Sequence, residues 1–236
     1  MPLPVYLAMT AAQFRQPEKF PSHPAWMACH FSCYGTGLSN CPEQLPENTL
    51  LILNDRTPVW NHDPELIVAQ LREIAERNHS PGVLLDFQRQ DVPATAEIAR
   101  CIVESLDCPV AVADGYAADL ICPVFLPPLP LHTTLQAYLA PWQGREVWLD
   151  IALNCQQMCV TEAGCQTSYP CSADHLDSDF LDEKLFCRYR SKTSEDKILF
   201  TLYRTPETLK ALLAEAENTG VTTAVGLFQE LENVFI

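Results

Sequence analysis

The chain has 236 residues, 47% of them hydrophobic, which suits one barrel-sized domain with a substantial core and excludes a disordered protein. Its formal net charge of -15 repels nucleic-acid phosphates and anionic lipids, so we expect neither as a partner, whereas a neutral sugar or glycan carries no such penalty. No apolar run is long enough to cross a bilayer, and the first residues contain two prolines and no basic segment. The chain is therefore predicted to be cytoplasmic, unless an export signal lies outside it.

Strand-like apolar runs alternate with helix-like runs along the chain. The predicted strands are residues 5–10, 26–33, 49–54, 83–87, 109–114, 121–126, 146–153 and 223–228. The predicted helices are residues 64–78, 94–106 and 135–139, with a last helix that begins at Thr205-Pro206-Glu207. Residues 154–178 show no period and are predicted to form a long loop, and residues 186–190 and 197–203 a hairpin.

This alternation predicts an α/β fold with a parallel sheet, and about eight such strands are arranged most economically as a closed barrel. We expect a single TIM-type (β/α)8 domain over residues 1–236. It is expected to be irregular, with short or missing helices and with the long loop and the hairpin before the last helix and strand. Nothing in the sequence predicts a cofactor or an oligomeric state.

Eleven cysteines are a high number, and in a cytoplasmic chain they are expected to be reduced. Cys155, Cys159, Cys165 and Cys171 form a dense tract with His175 nearby. Their spacing is wider than the C-x2-C pairs that are typical of metal sites, so no metal is predicted, although a thiol- or metal-dependent function stays open. A similar, weaker pattern is formed by Cys29, His30 and Cys33.

The segment 80–89 predicts a buried strand that ends abruptly in polar residues, as barrel strands do at an active-site mouth. Asp86 and Gln88 alternate with Leu85 and Phe87, so the two polar side chains share one face of the strand. In a barrel this face is the interior. The amide of Gln88 does not ionise, so it does not serve as a proton-donating acid near neutral pH.

Residues 81–88 resemble the fourth strand of the family-18 glycoside hydrolases, a TIM-barrel family that includes chitinases. The family carries the motif D-x-x-D-x-D-x-E on this strand. Its four positions fall here on Pro81, Leu84, Asp86 and Gln88, so that only Asp86 is kept.

The end of the chain carries a second part of the resemblance. Residues 203–210, Gly220 and the apolar strand 223–228 are similar to the family's segment between its seventh and eighth strands, with Phe228 at the position of an active-site tryptophan. The family's Met-x-Tyr-Asp motif on the sixth strand has no match, and residues 125–128 occupy its place.

The resemblance implies a chemistry from which this chain departs. The family hydrolyses N-acetylated sugars through the acetamide of the substrate; its glutamate protonates the leaving oxygen, and the neighbouring aspartate orients the acetamide. Because Gln88 stands at the glutamate position, the resemblance implies a non-hydrolytic protein that binds carbohydrate at the carboxyl-terminal mouth of the barrel. An active hydrolase with a displaced carboxylate is the alternative, and its candidates are Asp86, Asp114, Asp150 and Glu230.

The predicted ligand-binding residues follow or end predicted strands, and they are Asp55, Asp86, Gln88, Arg89, Asp114, Tyr116, Asp150, Phe228 and Gln229. Structural roles stay open beside the functional ones. Asp55, Arg56 and Arg89 would form a salt-bridge set, and Tyr116 and Phe228 would be packing residues. Each of the four tryptophans is a candidate for stacking on a sugar ring, although packing is their more common role.

Overall fold

The computed structural model describes residues 3–15, 20–89, 92–168 and 178–236. In this part of the chain eight parallel strands close into a barrel, because the last of them pairs with the first. They are β1 (Val5–Met9), β2 (Pro24–Phe31), β4 (Leu50–Asn54), β5 (Val83–Asp86), β6 (Val110–Ala113), β7 (Val124–Leu126), β8 (Val147–Ile151) and β14 (Val221–Leu227). A two-residue strand, β3 (Leu38–Ser39), pairs antiparallel with the end of β2. The predicted (β/α)8 barrel is confirmed.

Helices lie between most of the barrel strands, and several are as short as predicted. They are α1 (Ala11–Arg15), α2 (Pro64–Arg77), α3 (Pro93–Ser105), α4 (Asp114–Ala117), α5 (Leu135–Leu139), α6 (Pro206–Asn218) and α7 (Phe228–Phe235). Within residues 20–89 no helix separates β2 from β4, and β3 takes its place. Of the described helices, none combines the length and the apolar character needed to cross a bilayer.

Two of the longer helices begin at side chains that cap their first turn. The Asp63 side chain accepts hydrogen bonds from the backbone N–H groups of Glu65 and Leu66 at the start of α2. Thr205 and Thr208 form a capping box at the start of α6. These side chains satisfy N–H groups that have no partner within the helix, and they fix where each helix begins.

The barrel interior combines large and small side chains at neighbouring positions, which lets them fill the narrow space between strands. The buried interior residues are Tyr6, Ala8, Ala25, Leu50, Ile52, Leu84, Ala111, Phe125, Trp148 and Val225. Gly82 makes room for this packing, because a Cβ atom there would lie 2.8 Å from the Pro109 carbonyl oxygen and 3.2 Å from the Trp148 ring. The larger apolar core lies outside the barrel, between its strands and the helices.

A second, antiparallel sheet is inserted between β8 and α6. Its strands are β9 (Cys155–Thr161), β10 (Gly164–Ser168), β11 (Phe180–Asp182), β12 (Cys187–Thr193) and β13 (Lys197–Tyr203), in the spatial order β10-β9-β13-β12-β11. The predicted hairpin is confirmed as β12 and β13.

The prediction of a long loop over residues 154–178 is wrong for its first half, since β9 and β10 form a hairpin there. Most side chains of β9 are half-buried on both faces of the sheet. The sequence therefore lacks the alternation of buried and exposed residues from which a strand is predicted, and pairing with β13 stabilises β9 instead. Residues 169–177 lie outside the described residues.

Arg204 joins the inserted sheet to the barrel. Its backbone N–H donates to the Asn154 carbonyl oxygen at 2.9 Å, and its guanidinium donates to the carbonyl oxygens of Leu129 at 3.2 Å and Phe186 at 3.3 Å. Only 4% of the residue is exposed, and this burial lowers the pKa of Arg204 to about 10. The orientation of the sheet on the barrel therefore depends on a buried cation held by carbonyl oxygens.

The predicted last strand ends one residue too late. Phe228, Gln229 and Glu230 do not end a strand; they form the first turn of α7, which follows β14 directly. Leu231 and Val234 are buried at helical spacing, so the apolar residues at the end of the chain cover the barrel as a helix.

The cysteine tract does not have the expected redox state. Cys155 is disulfide-bonded, which contradicts the prediction that all the thiols are reduced. Cys159 on β9 and Cys165 on β10 are free thiols, while Cys171 and His175 lie outside the described residues. Among the described residues there is no group of three or more His, Cys, Asp or Glu side chains that could hold a metal ion.

Candidate functional site

A cavity of about 640 Å³ opens at the carboxyl-terminal ends of the barrel strands, where barrel enzymes place their active sites. Its apolar lining comes from side chains that point into the barrel, among them Ile52, Leu84, Phe125 and Val225. Polar side chains from the ends of β4, β5 and β8 and from the loops that follow β4 and β5 complete the lining. An apolar cavity with a few polar groups is typical of a small-molecule site.

Five of the predicted ligand-binding residues come together in this cavity. Asp55, Asp86, Gln88, Arg89 and Asp150 all line it, although they come from three different strands or the loops after them. Side chains along residues 85–88 alternate between the two faces of the strand, as predicted. Leu85 and Phe87 lie in the core outside the barrel, and their polar neighbours face the cavity.

Asp86 and Gln88 are directly hydrogen-bonded. The Gln88 side-chain amide donates to a carboxylate oxygen of Asp86 at 2.5 Å. Burial raises the pKa of Asp86, and the charge of Asp55 adds to this effect, while the hydrogen bond from Gln88 opposes it. The amide thus acts as a neutral donor that stabilises the ionised form of the neighbouring carboxyl group.

Asp150 is the most strongly perturbed carboxyl group of the cavity. Burial raises its pKa to about 7, and the charges of Asp86 and Glu230 contribute in the same direction. Two aspartates from β5 and β8 therefore share one largely apolar space, where both are ionised only at a cost. At neutral pH a substantial fraction of Asp150 carries a proton.

Asp55 holds the backbone of the loop that follows β5. It is 3% exposed, and its two carboxylate oxygens accept hydrogen bonds from the backbone N–H groups of Gln88 at 3.0 Å and Arg89 at 2.7 Å. Among the described residues no ion pair joins Asp55, Arg56 and Arg89, so the predicted salt-bridge set is wrong. The carboxylate instead fixes the backbone that carries Gln88, since backbone N–H groups satisfy its charge.

Asp114 and Tyr116 are not among the described residues that line the cavity. Asp114 begins α4 and accepts the backbone N–H of Gly115 at 2.8 Å. The Tyr116 ring packs edge-on against Phe87, with 6.0 Å between the ring centroids. Burial raises the pKa of Tyr138, and the charges of Asp114 and Asp150 add to this effect.

Phe228, Gln229 and Glu230 are likewise absent from the described lining. Phe228 packs against the outer core, and Gln229 is exposed on α7. A Glu230 carboxylate oxygen accepts the backbone N–H of Leu153, just after β8. This contact and the effect of its charge on Asp150 place Glu230 beside the cavity.

Further polar residues line the cavity without having been predicted to bind ligand, among them His30, Asn40 and Asn54. The Asn54 amide donates to the carbonyl oxygens of Met27 at 3.1 Å and Cys29 at 3.0 Å, where the register between β2 and β4 shifts. Asn54 is the last residue of a predicted strand, and this position is the feature of the sequence that could have predicted its place in the cavity.

His30 and Asn40 form a pair on the β2 side of the cavity. His30 Nδ1 lies 2.9 Å from the Phe31 carbonyl oxygen, which assigns the proton to Nδ1. His30 Nε2 then accepts from the Asn40 amide at 3.1 Å. Asn40 follows β3, and its hydrogen bond with His30 depends on the pairing of β3 with β2. Because β3 is only two residues long, the sequence contains no pattern that predicts it.

Comparisons with known proteins bear on the fold. No family model matches the sequence, and no curated protein matches it. Among solved structures, a glycoside hydrolase family 18 N-acetylglucosaminidase from Paenibacillus barengoltzii superposes with a TM-score of 0.60 at 11% identity, covering 99% of this chain and 98% of that one.

Two further structures are similar at low identity. A GH18 chitinase variant from Cycas revoluta, with one glutamate changed to glutamine and in complex with (GlcNAc)4, gives a TM-score of 0.58 at 11% identity over 98% of this chain and 97% of that one. The spore cortex-lytic enzyme SleL from Bacillus cereus gives 0.55 at 8% identity over 95% and 70%. The chain therefore has the TIM-barrel fold of the family-18 glycoside hydrolases, as its sequence resemblance predicts.

Proposed function

We propose that the protein binds an N-acetylated oligosaccharide at the mouth of the barrel and does not hydrolyse it. The hydrogen bond from Gln88 to Asp86 carries this proposal. A neutral amide stands where the family resemblance implies the proton donor, and it has no ionisable proton to give to a leaving group. It retains the ability to donate to, and accept from, a sugar hydroxyl or acetamide.

The shape and polarity of the cavity support a sugar as the ligand. Its volume of about 640 Å³ lies within the usual range of small-molecule sites, roughly 300–1,000 Å³. Phe125 supplies an aromatic surface in the lining, and Asp86, Gln88 and Asp150 supply groups for hydroxyl and acetamide hydrogen bonds. A structurally similar chitinase holds (GlcNAc)4, which suggests the sugar to test.

Two exposed aromatic side chains on the loops that follow β2 and β4 support a ligand longer than one sugar. Trp60 is 70% exposed and Tyr34 fully exposed, and both line a smaller hollow of about 280 Å³. Their loops leave β4 and β2, whose ends also line the main cavity. Aromatic faces at such a position suit stacking on sugar rings.

Calorimetric titration with the N-acetylglucosamine tetramer tests the proposal. The wild-type chain should bind the tetramer and leave it uncut, as mass spectrometry of the recovered sugar reports. Asp86→Asn keeps the shape of the side chain but removes a charged acceptor, and it should raise the Kd about 10- to 100-fold. Glu97→Gln, an exposed change on α3, is the matched control and should leave the Kd unchanged. Absence of wild-type binding, or an equal Kd for Asp86→Asn, contradicts the proposal.

A second candidate function is hydrolysis with a displaced acid, and the pKa of Asp150 favours it. A carboxyl group with a pKa of about 7 retains protons near neutral pH, which a general acid requires. An assay with aryl N-acetylglucosaminides separates the two functions. Turnover by the wild-type chain that Asp150→Asn abolishes would establish the hydrolase; a rate equal to the buffer blank agrees with the binding protein.

A further inference from the structure

Two arginines line the cavity without a carboxylate partner. Arg56 and Arg89 lie on the loops after β4 and β5, and both residues are exposed at the mouth of the cavity. Of the residues that the structure describes, none forms an ion pair with either guanidinium group. This is unexpected in a chain with 30 acidic and 15 basic residues, because acidic partners outnumber the cations. The two arginines therefore bring to the cavity a positive charge that no described carboxylate contacts.

Asp55 explains why these arginines lie together and why it is not their partner. Its carboxylate oxygens accept the backbone N–H groups of Gln88 at 3.0 Å and Arg89 at 2.7 Å. These bonds join the loop after β5 to the end of β4, where Arg56 follows Asp55 in the chain. The Arg56 backbone N–H is held as well, since it donates to the Asn54 side chain at 3.2 Å. Backbone donors thus satisfy the adjacent acidic residue, and both arginine side chains remain available.

Most N–H groups of the two guanidinium groups are free to bind a ligand. Within the described part of the chain they donate one hydrogen bond, from Arg89 Nη2 to the Arg56 carbonyl oxygen at 3.4 Å. A guanidinium group has five N–H donors in a planar fork, and this fork matches the two oxygens of a carboxylate. Two such groups on neighbouring loops therefore offer a binding site for an anion.

The opposite wall of the cavity has the reverse polarity. In the order of the barrel strands, β8 lies four strands from β4, which is the far side of a ring of eight. Asp150 on β8 lines the cavity there, and its carboxyl group can accept hydrogen bonds from hydroxyl or acetamide N–H groups. A ligand that fits both walls carries a negative group at one end and neutral donors at the other.

We propose that the ligand of this cavity is an N-acetylated sugar with a carboxylate substituent, and that Arg56 and Arg89 bind this carboxylate. The inference rests on the proposed function, since it takes sugar binding at the cavity as given. The net charge of -15 opposes the approach of any anion, so a local pair of cations is needed to hold one. A phosphate monoester carries more negative charge than a carboxylate, and the acidic chain therefore disfavours it more.

Matched acids and esters test the inference. Ligand-observed NMR titration at about pH 7, where carboxyl groups are ionised, compares two acids with their methyl esters. N-acetylmuramic acid has an ether-linked carboxylate, and N-acetylneuraminic acid has its carboxylate on the ring. We expect at least one acid to bind about 10- to 100-fold more tightly than its ester, and the preferred acid identifies the source of the carboxylate.

The neutral N-acetylglucosamine tetramer separates this inference from the proposed function. If the tetramer binds while each acid binds no more tightly than its ester, or neither acid binds, the inference is overturned and the proposed function stands. If the tetramer does not bind, the proposed function itself is contradicted.

Variants locate the effect at the two arginines. Arg56→Gln and Arg89→Gln should each raise the Kd of the preferred acid about 10-fold and leave the Kd of its ester unchanged. Arg100→Gln is the matched control, because it removes the same charge from an exposed position on α3 outside the described lining, and it should change neither Kd.

Three results with these chains overturn the inference. The first is an unchanged Kd of the acid in both cavity variants. The second is an equal loss of affinity in Arg100→Gln, which would mean that net charge and not contact determines the affinity. The third is tighter binding of N-acetylglucosamine 6-phosphate than of both acids to the wild-type chain, which would assign the arginines to a phosphate.

Discussion

Asp150 shows how a single carboxyl group couples the site to the stability of the whole fold. It lies in the cavity beside Asp86, and burial is the main cause of its raised pKa of about 7. In the unfolded chain the same group ionises near pH 4. Folding at intermediate pH therefore requires the uptake of a proton, and at higher pH it requires the burial of a charge.

Asp150→Asn should stabilise the protein at high pH and not at low pH. Below about pH 4 the carboxyl group is protonated in both states and costs nothing; as the pH rises from about 4 to about 7, only the folded state keeps the proton, so the free energy of unfolding falls. Above pH 7 the loss is complete and is on the order of 4 kcal/mol. Asparagine does not ionise and causes no such loss, so the variant should become more stable than the wild type as the pH rises through this range.

Urea unfolding of both chains at about pH 4.5 and about pH 8 measures this difference. Asp119→Asn, a change at an exposed aspartate, serves as the control and should change the free energy of unfolding little at either pH. A variant that is less stable than the wild type at about pH 8 would refute the assignment of a buried, raised carboxyl group.

The sequence predicted the positions of residues at the ends of barrel strands better than the positions of residues that begin helices. Asp86 and Gln88 could be placed because alternation along a buried strand fixes which side chains face inward. Phe228 and Gln229 were misplaced because the last strand ends one residue before them, and a helix directly after a strand changes the direction of every following side chain. His30 and Asn40 meet through the short pairing of β2 with β3, a long-range contact that leaves no local pattern.

The loop after β5 depends on its contact with the end of β4. Asp55 accepts two backbone N–H groups there, so one buried carboxylate from one strand holds the polar segment of the next. This arrangement explains why an acidic residue stands at the end of a continuous apolar strand: the charge is satisfied by backbone donors and not by solvent or a cation.

Asp55→Asn should destabilise the protein by about 3 kcal/mol, because it weakens hydrogen bonds to a charged acceptor and turns an amide N–H₂ toward a backbone N–H. For a chain of this size the expected fall in Tm is about 6–12 °C. Calorimetric unfolding measures it, with Asp119→Asn again as the control. If Asp55→Asn melted within about 1 °C of the wild type, the two hydrogen bonds would not hold the loop.

The sequence predicted only some strands of the inserted sheet. β12 and β13 were predictable because each contains a run of strand-favouring residues around a polar turn. β9 has no comparable contrast, since its side chains are half-buried on both faces and its stability comes from its partner strand. The disulfide at Cys155 likewise depends on where the chain returns, which spacing alone does not specify.

At the scale of the whole molecule, the excess of acidic residues is the dominant electrostatic feature. The formal net charge is -15, and two ion pairs join described residues, Arg77 with Glu73 and Arg190 with Asp179. Ion pairs between residues that the structure describes are therefore few beside the 30 acidic side chains, and repulsion among these side chains opposes the compact state.

Added salt should raise the melting temperature. Screening shortens the range of the repulsion, so Tm is expected to rise by a few degrees between about 0.01 M and about 0.5 M NaCl. Thermal unfolding followed by circular dichroism measures this, and choline chloride at equal ionic strength should give the same rise if screening is the cause. A Tm that falls with salt would mean that attractive pairs dominate.

The seam between β1 and β14 has a consequence for biosynthesis. Tyr6 pairs with Val225, so nearly the whole polypeptide separates the two partners that complete the ring. A nascent chain on the ribosome is then an open sheet whose edges, β1 and β8, expose unpaired backbone groups until β14 emerges. Chaperone demand and sensitivity to premature termination should therefore be concentrated in the interval before the last strand is translated.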